Sequence, residues 1–134
     1  MVRCMVNAPR WKDRDEHQAM LGACAGLAVQ LSTLGYCPVV VVDTFSGGKA
    51  VYFEEVLRAR QPAATMCSIM LHAEEAVLAA RVAGRPAGFF HDLAVSARIN
   101  AEMRAIPGPA IGLDTTCMAA EDAAATILRL IQRA

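Results

Sequence analysis

Two groups of residues in this chain have the types and spacing to do chemistry. The first is Asp43-Thr44-Phe45-Ser46-Gly47-Gly48-Lys49-Ala50, between a run of valines and a helical pattern. A turn between a buried strand and a helix start can cradle an anion on backbone N–H groups. A nucleotide phosphate loop reads GxxxxGK followed by Ser or Thr. Here Asp43 stands where the first glycine belongs, and Ala50 supplies no hydroxyl for magnesium. The motif therefore departs from a nucleotide loop and reads as a glycine-rich turn, with a weak anion site as its alternative. Asp43 itself falls at the carboxyl end of the valine run, where open α/β sheets bind ligands. It is a candidate for substrate contact or for orienting a metal-bound water; otherwise it caps the next helix.

The second group is Arg81, Arg85 and Arg98. Arg81 ends one helical pattern, Arg85 lies in the loop Gly84-Arg85-Pro86-Ala87-Gly88, and Arg98 lies on the next helix. An arginine-bearing loop between two helices suits a lid, about 82–91, that neutralises a transferring phosphoryl group. The alternative is solvated surface arginine. His17, His72 and His91 have no Cys or Glu-x-x-His partners, and Cys4, Cys24, Cys37, Cys67 and Cys117 are scattered. A metal site is not expected, and an odd, dispersed cysteine set suits reduced thiols in a cytoplasm. Neither a nucleophile elbow nor a paired-carboxylate site is evident.

The elements that must position these residues follow from periodicity. Met20, Cys24, Leu27, Leu31 and Leu34 recur at helical steps, predicting a helix from about Asp13 to Leu34 with Gly35 as its left-handed stop. Val39-Val40-Val41-Val42 is poor in a helix and, with no polar alternation, predicts a parallel strand buried on both faces. A helix over 49–60, a strand over 64–71, helices over 72–82 and 92–103, a strand over 110–113 and a final helix carrying Ile127, Leu128 and Ile131 complete the series. Strands alternating with helices imply an α/β fold: a three-layer parallel sheet with helices on both faces and right-handed crossovers.

Composition fits one domain, 1–134: hydrophobic residues are 55% and charged residues 19%, enough to build a core. Net charge is zero, which argues against a general nucleic-acid surface. The longest apolar runs are too short for a bilayer, and the N-terminal stretch does not read as a signal peptide.

On these segments the layout resembles the later part of the small P-loop kinases, the gluconate-, shikimate- and chloramphenicol-kinase-like phosphotransferases. Val2-Arg3-Cys4-Met5-Val6 resembles the stretch after their acidic second strand, and VVVVDTF their substrate-contacting strand. HAEEAVLAAR, the Gly/Pro loop and SARIN resemble helix, lid and arginine-bearing helix. GLDTT with AAEDAAATIL resembles their last strand and helix. The resemblance implies an ATP-dependent transfer to a small-molecule acceptor, with ATP and Mg as cofactors of the complete relative. Arg3 and Asp43 would face the acceptor. Arg81, Arg85 and Arg98 would contact phosphates, with Asp43, Arg81 and Arg85 catalytic. Asp114, Thr115 and Thr116 would border the adenine.

The departure is as informative. The family's first strand, Walker A loop, first helix and second strand have no counterpart, about 30–40 residues in such a unit. Met1 would then be an internal or mis-assigned start, or the start of a truncated gene, and neither Lys12 nor Lys49 replaces the phosphate lysine. The chain alone is expected to be inactive or very weakly active. The alternatives are a non-catalytic α/β interaction module that associates with another chain, including a homo-oligomer through an unsatisfied sheet, and an unrelated α/β protein binding an anion at Ser46-Gly47-Gly48.

Overall fold

The computed structural model describes residues 14–45, 48–105 and 110–132. The chain falls into two compact units, Met1–Met66 and Cys67–Ala134.

In the first unit, α1 (Arg14–Thr33) packs on α2 (Lys49–Arg60). Asp15 and Glu16 in the first turn of α1 suit the positive end of the helix dipole. Its end follows the sequence expectation. Gly35 has φ 91, Tyr36 N–H donates to Leu31 O (3.1 Å) and Gly35 N–H to Ser32 O (3.0 Å), the paired bonds of a Schellman stop. The buried face only partly follows the expected stripe, of which Cys24 packs against the core. Leu21 (2% exposed) and Ala25 (0%) form the core with Phe53 of α2, whereas Leu27 and Leu34 are exposed.

The valine strand is also corrected. Residues 39–45 carry no strand; β1 (Ile69–His72), which overlaps the end of the ATMCSIML segment and takes in His72, pairs instead with β2 (Ile111–Asp114). β-Propensity needs a ladder partner to become a strand, and among the described residues of the first unit no strand is present. Accessibility still alternates along the run. Val41 and Phe45 pack against the α1–α2 core, while Val40 is 65% and Val42 88% exposed. The expectation of burial on both faces fails. Gly48, at φ 81, leads into α2 as its N-cap, a conformation that favours glycine, so Asp43 is not the cap of that helix.

In the second unit, β1 and β2 run parallel, with Ile69 opposite Ile111 and His72 opposite Asp114. The crossover between them carries α3 (Glu75–Ala83) and α4 (Leu93–Ala105), and α5 (Ala120–Ile131) follows β2. This is a mixed α/β arrangement with a two-strand parallel sheet among the described residues. Met70, Ala73, Val82 and Leu113 are buried. Asp92 accepts the Val95 N–H (3.0 Å) and caps α4. No residue of α5 is buried despite its one-sided apolar stripe, and Leu128 is 58% exposed. No helix of the described residues is long and apolar enough to cross a membrane.

Candidate functional site

The carboxyl ends of the two parallel strands gather four of the residues singled out from the sequence: Arg81, Asp114, Thr115 and Thr116. The ladder continues one step past β2, because Thr115 N–H donates to His72 O (2.8 Å). This puts the Thr115 hydroxyl over the end of β1, where it donates to the same carbonyl (2.9 Å). Arg81, in the last turn of α3, then spans the β2–α5 turn. Its Nη1 donates to Thr115 Oγ1 (3.0 Å), and its Nη2 to Thr115 O (2.7 Å) and Met118 O (3.3 Å).

Thr116 makes the second bridge. Its hydroxyl and its N–H both donate to Asp114 Oδ1, and its oxygen accepts the Glu74 N–H (2.8 Å) ahead of α3. Aspartate followed two residues on by such a bond is an Asx turn. The bonds to the ionised form hold the Asp114 carboxyl below its ordinary value of 3.8, the Thr116 hydroxyl first and its N–H second. A depressed carboxyl stabilises the fold above that ordinary pKa, and the contribution fades as pH falls through the folded value. Thr116→Val removes the leading cause and should move the Asp114 midpoint upward toward 3.8, read by NMR titration of the side-chain carboxyl. An unchanged midpoint would show that the hydroxyl does not hold the charge.

One further residue locks the site from the α4 side. Asn100 is buried (9% exposed) and bonds both backbone groups of Ala73: Oδ1 accepts the N–H (2.9 Å) and Nδ2 donates to the carbonyl (2.8 Å). Sequence reading missed it. The available signal was an asparagine, a poor mid-helix residue whose amide competes for backbone bonds, set inside an otherwise regular helix. His72 was weighed as a metal ligand in the sequence and set aside for want of partner residues. Its Nδ1 is buried without a hydrogen-bond partner among the described residues.

The other candidates sit elsewhere. Arg85 donates to Phe90 O (2.6 Å), and a His91 ring nitrogen meets Pro86 O (3.2 Å), so both side chains staple the 84–92 loop to itself. Arg98 is exposed on α4. Asp43 belongs to the first unit, where its Oδ1 accepts the Thr44 N–H (2.7 Å) and Lys49 Nζ donates to Thr44 O (3.2 Å). Arg3, Ser46 and Gly47 lie outside the described residues.

Chemically, the strand-end cluster holds one ionised carboxylate and one guanidinium in fixed positions. Its donors are largely spent on backbone carbonyls and on each other. Among the described residues no group of three or more His, Cys, Asp or Glu side chains is placed to hold a metal ion. No family model matches the chain, and no curated protein or solved structure matches it either.

Proposed function

We propose that this chain is a non-catalytic α/β interaction module that associates with another polypeptide chain to complete its sheet. The observation that carries the reading is the parallel two-strand ladder with its apolar flanks uncovered. Parallel sheets are ordinarily buried on both faces by further strands and helices, and a two-strand ladder is marginal by itself. Here Leu71 is 48% exposed on β1, Ile111 is 37% exposed on β2 and Leu128 is 58% exposed on α5. Arg81, the leading candidate for phosphate contact, bridges β2 to α5 through three hydrogen bonds and so has a structural task. Sedimentation velocity over a hundredfold range of protein concentration tests the reading. The sedimentation coefficient should rise with concentration, and a well-folded chain that stays monomeric throughout would overturn the proposal.

A second reading, part of an ATP-dependent small-molecule kinase of three-layer P-loop type, draws support from the convergence of Arg81, Asp114, Thr115 and Thr116 at the strand ends, the usual ligand edge of open α/β sheets. Arg81 would have to leave the Thr115 and Met118 carbonyls to reach a phosphate. Calorimetric titration with Mg-ATP tests for what survives of the second reading: binding heat that is lost in Arg81→Ala would favour it over a non-catalytic module, which gives none.

A further inference from the structure

The buried residues of the second unit are unevenly shared. Met70, Ala73, Val82, Asn100 and Leu113 lie on β1, on its link to α3, on α3, on α4 and on β2. None lies on α5. The α5 stripe of Ala123, Thr126, Ile127, Leu130 and Ile131 is only half-buried. A helix of 12 residues is marginal by itself in water, so α5 depends on what ties it to the rest of its unit. A segment with few buried apolar contacts opens at a lower free energy than the core it leaves behind.

The tie is concentrated at one end. Ala119, the N-cap of α5, gives the first turn no side-chain hydrogen bond. The turn ahead of it is held from α3 instead. Met118 N–H closes that turn onto Thr115 O (3.1 Å), and one Arg81 guanidinium takes the carbonyls at both of its ends, Thr115 O (2.7 Å) and Met118 O (3.3 Å). The Glu74 N–H adds its bond to the Thr116 hydroxyl (2.8 Å). The side-chain bonds along α5 itself are internal: Thr126 to Asp122 O (2.8 Å) and Arg129 to Thr126 Oγ1 (2.9 Å). We propose that α5 is a strap latched at its N-terminal end by Arg81, and that it opens as one piece while β1, β2, α3 and α4 stay folded. Opening frees the Ile127, Leu130 and Ile131 stripe without breaking the ladder. This goes beyond the interaction-module reading and requires no partner.

Native-state amide exchange of the full chain, read residue by residue at one low protein concentration, tests the strap. In the unmodified chain, amides 124–131 of α5 should exchange at least about tenfold faster than amides 98–104 of α4. Urea below the unfolding transition should accelerate α4 more steeply than α5, because a local opening exposes less surface than a global one. Arg81→Ala should speed α5 a further tenfold or so, the worth of three exposed hydrogen bonds, and leave α4 within about twofold. Arg81→Lys keeps the charge without the planar fork and should fall between. One common rate for α5 and α4 in the unmodified chain would overturn the strap. An Arg81→Ala chain that speeds both helices alike, speeds neither, or fails to fold would overturn the latch, because releasing a latch frees α5 alone.

Discussion

Asn100→Ala should destabilise the second unit by about 3 kcal/mol, because each buried backbone group left without a partner costs about 1–3 kcal/mol. Both the N–H and the C=O of Ala73 depend on this one amide, at 2.9 and 2.8 Å, and Ala73 is only 3% exposed. Water cannot replace the amide cheaply at such a site. Urea unfolding followed by circular dichroism reads the loss as a lower midpoint with the slope retained. Asn100→Asp sharpens the test. An ionised carboxylate still accepts from the Ala73 N–H, but its second oxygen faces the Ala73 carbonyl, and burial further disfavours the charge. The protonated form restores the donor. The folded pKa of the introduced carboxyl is therefore raised, and its stability deficit grows as pH rises from the unfolded value through the folded one. A variant equally stable at acid and neutral pH would show that Asn100 merely fills space.

Phe53→Ala should cost the first unit about 4 kcal/mol, the usual range for deleting a buried aromatic from a core. Phe53 is 6% exposed. It packs with Leu21 and Ala25, and its ring meets Phe45 edge-on at a centroid distance of 5.5 Å. Deleting it removes the side chain that joins α2 to α1 and leaves a cavity that two helices cannot close without shifting. Phe53→Leu, which keeps most of the volume, should cost about 1.5 kcal/mol or less. Amide exchange in α1 and α2 distinguishes the outcomes. Protection in both helices should fall together in Phe53→Ala, and a loss confined to α2 would contradict the shared core.

How far the sequence led depends on the kind of signal. The helices were legible because their signals are local. Gly35 as a left-handed stop for α1 and the 49–60 segment were each readable within a few residues. The parallel direction of the ATMCSIML and 110–113 segments was legible from the helices between them. The valine run misled because propensity was taken as pairing. Val39–Val42 has every local mark of a strand, but a strand is a relation between two segments, and β1 is paired with β2 instead. The face of α1 misled for a similar reason: Leu27 and Leu34 have helical spacing, but the packing partner selects Leu21 and Ala25.

At the candidate site, Asp114, Thr115, Thr116 and Arg81 do meet, because all four lie at or just past element ends that a parallel ladder brings to one edge. Their bonding partners were not legible. That Arg81 would take backbone carbonyls, and that Asn100 would mimic a neighbouring strand at Ala73, depends on contacts 27–37 residues apart in the chain. Spacing within a motif carries no information about such pairs.

Amide hydrogen exchange at Ile69 and Leu71, measured residue by residue at low and high protein concentration, tests the unfinished sheet most directly. An edge closed by another chain protects both amides at high concentration and releases them on dilution. Rates that stay the same for both amides across the concentration range, whether fast or slow, would contradict completion of the sheet by association.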